Sequence, residues 1–229
     1  MSIIVGPRKP VIQGLLIGIL GFCFLFLGKP AWAGQEQELV DKADMTLKNL
    51  HEANAWLRDH AKEAKAIFIV PSLLRVAFIL GGAGGNGVLI VKQPDGNWSP
   101  PAFYTMGSAS VGLQIGVDRS EIVVVVRTQR GLESFYTNDF RIGGDASMAV
   151  GSTGGGTRGG GIKGDFVAFS KSKGVYGGIS LDGQGVAVED QANLNYYGMP
   201  VRPIDILVRG RASNPDSSSL RNTAKNLLK

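Results

Sequence analysis

Two stretches of the chain have the glycine spacing of a phosphate cradle, Gly82-Ala83-Gly84-Gly85-Asn86-Gly87 and Gly154-Gly155-Gly156-Thr157-Arg158-Gly159. In a dinucleotide-binding loop such glycines follow a strand and open a helix, so that pyrophosphate meets free N–H groups at the helix start. Here a strand-like run follows each, Val88 to Val91 and Lys163 to Phe169, and a chain with 33 glycines meets the spacing by composition. No nucleotide cofactor is expected. The longer run from Gly151 to Gly164 has a second use, because bare backbone amides beside Arg158 and Lys163 could accept an anionic head group. Its plainer reading is a hairpin loop, since glycine loses much entropy when it is ordered around a ligand.

Other reactive side chains are sparse. His51 and His60 are the two histidines, with no cysteine or regular ligand spacing around them, so neither a metal site nor zinc chemistry is expected. Ser180, in Gly-Ile-Ser-Leu-Asp-Gly, lacks the glycine two residues later that a nucleophile elbow requires, and reads with Asp182 as a strand end and turn. No catalytic constellation of nucleophile, base and orienting acid emerges, and a non-enzymatic protein is expected.

The basic residues of the first helical segment are more informative. At 100° per residue Lys48, His51, Arg58, Lys62 and Lys65 share a stripe beside the apolar one, with Glu38, Asp41, Glu52, Asp59 and Glu63 beyond. A basic flank next to an apolar face suits phosphate head groups above acyl chains. The alternative is a core-packed helix whose charges form ordinary surface pairs. Trp98, Phe103 and Tyr104, near Pro100 and Pro101, could sit at a membrane interface or close the end of a sheet; Tyr196 and Tyr197 read as sheet packing.

The elements that must position these groups begin after a leader. Arg8 and Lys9 precede an apolar run, Val11 to Leu27, and then Ala31-Trp32-Ala33, which reads as a secretory signal peptide cleaved after Ala33. The other reading is a retained N-terminal membrane anchor, disfavoured by the short run and its glycines. Export would place the product in the periplasm or envelope. The single cysteine, Cys23, lies in the leader, and Phe22 before it is too large for a lipid-attachment site. Removing Arg8, Lys9 and Lys29 lowers the net charge from +5 to +2, so no nucleic-acid partner is implied.

Residues 35–65 contain no glycine or proline and place Leu39, Ala43, Leu47, Leu50, Asn54, Leu57, Ala61 and Ala64 at helical spacing. Beyond Ala66 come short β-branched runs punctuated by glycine, with helical inserts at Thr128 to Tyr136 and Glu189 to Tyr197. Ile122 to Val126 is apolar throughout and predicts a central strand covered on both faces. The expected fold is α+β: a curved, mainly antiparallel sheet, either a sandwich or a partly closed barrel, with an N-terminal helix. Gly81 to Gly87 and Gly174 to Gly178 would supply tight turns or bulges. The expected organisation is a leader over residues 1–33, one domain over 34–208 in which Ile204 to Val208 docks, and a polar tail or loosely attached helix over 209–229.

The block DFVAFSKSKGVYGGISLDGQGVAVEDQANLNYYG, Asp165 to Gly198, carries a recognisable signature, with AKAIFIVPSLLRVAFILGGAGGNGVLIV, WSPPAFYTMGSASVGLQIG and EIVVVVRTQRGLESF upstream in order. About 135 residues resemble the SYLF domain, also called the Ysc84 or DUF500 family. The resemblance implies a non-catalytic phospholipid-binding domain, with phosphoinositide binding and actin bundling attached to eukaryotic members. For an exported chain actin is an unlikely partner and ordinary anionic phospholipid the expected one, with Lys48, Arg58, Lys62, Lys65, Arg158 and Lys163 as contacts. The alternative is a scaffolding protein that self-associates, with incidental lipid contact.

Overall fold

The computed structural model describes residues 33–77, 80–111, 116–150 and 164–228. In chain order the elements are helices α1 (Ala33–Ala53) and α2 (Ala55–Ala61), then strands β1 (Ala66–Ala77), β2 (Leu80–Val91), β3 (Ala102–Val111) and β4 (Gly116–Val126). Helix α3 (Gln129–Ser134) and strands β5 (Asp139–Arg141), β6 (Met148–Val150), β7 (Phe166–Ser172), β8 (Val175–Gly178) and β9 (Gly185–Val188) follow. Helices α4 (Asp190–Tyr197), α5 (Pro203–Leu207) and α6 (Ser218–Leu227) complete the chain. The nine strands form one sheet in the order β5-β9-β3-β2-β1-β4-β7-β6, with β8 paired to β7. All pairings are antiparallel except β6 with β7.

The sheet is strongly rolled without closing. Phe140 of β5 and Phe166 of β7 lie six strand positions apart, about 28 Å in a flat sheet, yet their ring centroids are 6.0 Å apart. The rolled face encloses an aromatic core in which Phe135, just after α3, touches Phe68, Tyr104, Phe140 and Phe166 at 4.8–6.0 Å. The opposite face carries a second core in which Leu47, Leu50 and Leu57 pack on Ile67, Ile69, Val123, Val125 and Phe169. The α+β expectation holds. Strand β4 supplies Ile122, Val124 and Val126 to one core and Val123 and Val125 to the other, as its unbroken apolar run predicts.

Three expectations need correction. The first helical segment is two helices, because Asn54 leaves helical geometry (φ −127°) and its Oδ1 caps α2 by accepting from the Leu57 N–H at 3.1 Å. Gly81 to Gly87 is strand rather than turn, lying opposite an irregularity in β1 between Ile69 and Leu74. There a Cβ on Gly87 would sit 2.5 Å from the Ile69 carbonyl oxygen, and one on Gly85 2.4 Å from that of Ser72. Glycine lets the two backbones approach, so the bulge half of the expectation is what occurs. Last, residues 209–229 carry α6, whose Leu220 and Ala224, with Leu228 just beyond, are buried in the helix-side core. Ser219 donates to Asp44 at 2.6 Å and Arg221 to the Trp98 carbonyl at 2.8 Å, which fastens α6 to the body of the domain. Every core side chain among the described residues lies between Val40 and Leu228.

Candidate functional site

The break at Asn54 divides the expected basic stripe between two helices. Lys48, on α1, pairs with Asp44 at 2.9 Å, and Asp44 is itself buried and accepts from Ser219. Arg58, on α2, donates through Nη1 to the carbonyls of His51 at 2.9 Å and Glu52 at 3.0 Å. Those are final-turn carbonyls of α1, which lack partners within the helix, and a cation there also opposes the negative end of the helix dipole. Lys62 and Lys65 are exposed where α2 passes into β1, and neither makes an ion pair among the described residues. Nearby Arg127 pairs with Glu63 at 2.9 Å. The apolar stripe of these helices faces the sheet, with Ala43, Leu47, Leu50, Leu57 and Ala61 fully buried, so it offers no surface to acyl chains. Arg158 and Lys163 fall outside the described residues.

The histidines sit apart. Burial pushes both His51 and His60 down from the ordinary imidazole range, helped by the charges of Arg58 and Arg127 respectively. Among the described residues no three of His, Cys, Asp and Glu converge as a metal site requires. The aromatic candidates pack inward: Trp98, Phe103 and Tyr104 are buried, and Tyr196 lies 5.0 Å from the Phe103 ring. The Tyr197 hydroxyl donates to the Pro101 carbonyl at 2.5 Å.

Sequence reasoning missed the most heavily bonded side chain, Asp165. Its carboxylate accepts from the Thr128 hydroxyl, from Arg130 Nη2 at 2.5 Å, and from both the amide and the hydroxyl of Ser147 at 2.7 and 2.8 Å. Burial alone would raise this carboxyl, but the bonds from Arg130, Thr128 and Ser147 outweigh it and hold it well below the usual carboxylate range. So saturated a carboxylate is a poor general base. It ties the start of α3 to the strand pair β6 and β7. The available signal was Thr128, whose side chain caps α3 by accepting from the Gly131 N–H at 3.0 Å.

Asn193 was missed as well. Fully buried on α4, it accepts from the Phe103 N–H at 3.0 Å and donates to the Phe103 carbonyl at 3.2 Å, so a helix side chain completes the backbone bonding of β3. Both residues belong to structural clasps within the Asp165 to Gly198 block.

Residues 107–227 match the Ysc84 family model, described as Las17-binding protein actin regulator; the match runs past Gly198 through α6. The chain is 31% identical over 147 residues to LAS seventeen-binding protein 3 of Saccharomyces cerevisiae, covering 61% of this chain and 32% of that protein. It is 29% identical over 149 residues to the human SH3 domain-containing YSC84-like protein 1, covering 63% and 43%. The matched region thus spans 32% to 43% of these relatives' length. With more than half of its length matched by the family model, the chain belongs to the Ysc84 (SYLF) family.

Proposed function

We propose that this chain is a non-catalytic protein that binds anionic phospholipid through basic side chains on its surface. The carrying observation is the corner between α2 and β1. Lys62 and Lys65 are exposed there without an ion-pair partner among the described residues, so they can meet a phosphate without first breaking an internal contact. Lys48 and Arg58 are already engaged, and contribute chiefly through the positive field of the same side. Export by the leader, with the envelope as the place of action, is part of the proposal. No helix of the described residues is long and apolar enough to cross a membrane.

Las17 binding and actin regulation are what the relatives' names state of those proteins. The exclusion of actin for this chain rests on export alone and gains nothing from the comparisons. Self-association through exposed sheet surface is the second reading, and pairing at the sheet edges supports it little, since the terminal strands of the sheet order, β5 and β6, are three residues each.

The test is flotation of residues 34–229, which hold every described core side chain, with vesicles of phosphatidylcholine alone and of phosphatidylcholine mixed with phosphatidylglycerol. Salt-sensitive flotation confined to the anionic vesicles, and reduced by Lys62→Gln with Lys65→Gln, is expected. Equal absence of flotation from both vesicle types would refute the proposal.

A further inference from the structure

A second surface lies at the end of the sheet where β1, β3 and β7 finish and β2, β4 and β8 begin. Gly116 at the start of β4 pairs with Ala77 at the end of β1, and Ser172 at the end of β7 pairs with both Ser120 of β4 and Val175 of β8. Four of the seven large exposed apolar side chains among the described residues lie toward this end: Leu74 at 38%, Val76 at 45% and Val117 at 67% exposure on one face of the sheet, and Val175 at 72% on the other. Val76 and Val117 are direct cross-strand partners, and Leu74 shares their face two residues along β1. Beside them that face continues over Gly82 and Gly84 of β2 and Gly107 and Ala109 of β3, with almost no side chain to solvate it.

The described strand ends here belong to long uncharged stretches of the sequence. Residues 76–91 and 96–117 contain no Asp, Glu, Lys or Arg. Cations stand among and beside these side chains: Arg119 is the cross-strand partner of Leu74 on their face, Arg75 lies between Leu74 and Val76 on the other face, and Lys173 is in the turn before Val175, against the single carboxylate of Asp118. Asp118 is occupied by the hydroxyls of Ser172 at 2.7 Å and Ser120 at 3.0 Å. Lys171, farther from the end, pairs with Glu121 at 3.5 Å.

The outermost Val76–Val117 pair, with Arg75 and Arg119 one and two positions behind it along the strands, has the polarity of a bilayer boundary with anionic head groups, apolar toward the acyl region and positive toward phosphate. A symmetric second copy fits less well, because an isologous contact brings each cation of one copy toward those of the other. We propose that this end of the sheet, led by Leu74, Val76, Val117 and Val175 and flanked by Arg75, Arg119 and Lys173, is the surface that enters an anionic membrane. The inference rests on the phospholipid-binding reading and adds to the helix corner a second contact, at the other end of β1. Valines insert shallowly, so attachment is reversible and requires both the apolar and the basic contribution.

The test uses residues 34–229 in the same two vesicle types. Val76→Thr with Val117→Thr keeps β-branching and shape while replacing one methyl of each with a hydroxyl, and Arg75→Gln with Arg119→Gln removes two cations. Circular dichroism and the unfolding midpoint check that each variant is folded. At low salt each pair is expected to weaken binding to the phosphatidylglycerol vesicles about tenfold or more, with the arginine variant losing most of the salt dependence. If the wild type floats and both folded variants float as well as it does, the inference is overturned while the lipid-binding reading stands. If the wild type fails to float, both fall. Variants that alter only the oligomeric state, with vesicle binding unchanged, assign the surface to self-association and also overturn the inference.

Discussion

Asp165 shows how one side chain sets local stability. Its four strong donors keep it ionised far below the unfolded-state value of about 3.9. A depressed carboxyl stabilises the fold fully above that pH, and the contribution is lost as pH falls toward the folded-state value. Asp165→Asn is expected to cost about 2–3 kcal/mol at neutral pH and to flatten the acid limb of the denaturation profile; an unchanged limb would show that the clasp does not carry it. His51 and His60 act at milder pH. Both are pushed down by burial, so their stabilisation is complete above about pH 6.5 and declines as acidification drives them to protonate. Replacing both with Gln is expected to shrink the fall in unfolding midpoint between about pH 7 and 5. Asn193→Ala, which orphans the Phe103 N–H while the Phe103 carbonyl keeps the Glu189 N–H at 3.0 Å, is expected to cost about 1–3 kcal/mol in denaturant unfolding.

Glycine in β2 gives the element scale a paired prediction. Gly87→Ala would press a Cβ into the Ile69 carbonyl at 2.5 Å, whereas Gly84 has nothing within 4 Å of where its Cβ would stand. Thermal unfolding should show Gly87→Ala destabilised by about 3 kcal/mol and Gly84→Ala near wild type; equal effects would contradict the register. The local grammar was readable where it was self-contained. Gly198 at φ 69° ends α4, just past the helical run Glu189 to Tyr197, whereas Thr128, placed inside the expected insert, is the cap that precedes α3. It failed where a neighbour decides. Glycines that look like turn formers are strand residues because β1 bulges against them, and Asn54, at apolar spacing in a helical stripe, is a buried cap. Helix α6 was hidden by its serines, although Leu220, Ala224 and Leu228 stand four apart on one face. Leu220→Ala should cost about 2–5 kcal/mol, against almost nothing for a free tail.

Across the whole molecule, rolling the sheet uses up both faces along most of its length. One wraps the aromatic cluster around Phe135 and the other lies under α1, α2, α4 and α6, and among the described residues neither core extends over the far ends of β1 to β4. The candidate site was half legible for this reason. Charge in the first helices is visible in sequence, but which cations are engaged depends on a helix break and on α6. The uncharged strand ends can be counted in sequence, yet only the register of β1 with β4 and of β7 with β8 brings Val76, Val117 and Val175 to one end. From residue 34 onward the chain has no cysteine, so a single reporter thiol can be placed at will. The most direct measurement labels Val117→Cys with an environment-sensitive fluorophore, with Met199→Cys as the reference, and titrates each with phosphatidylglycerol-containing vesicles. Met199 is exposed and follows α4, which is anchored beside the opposite end of β3. A blue shift and protection from aqueous quencher at position 117, with neither at position 199, is the predicted result; vesicle binding that leaves the label at 117 in water would contradict the account.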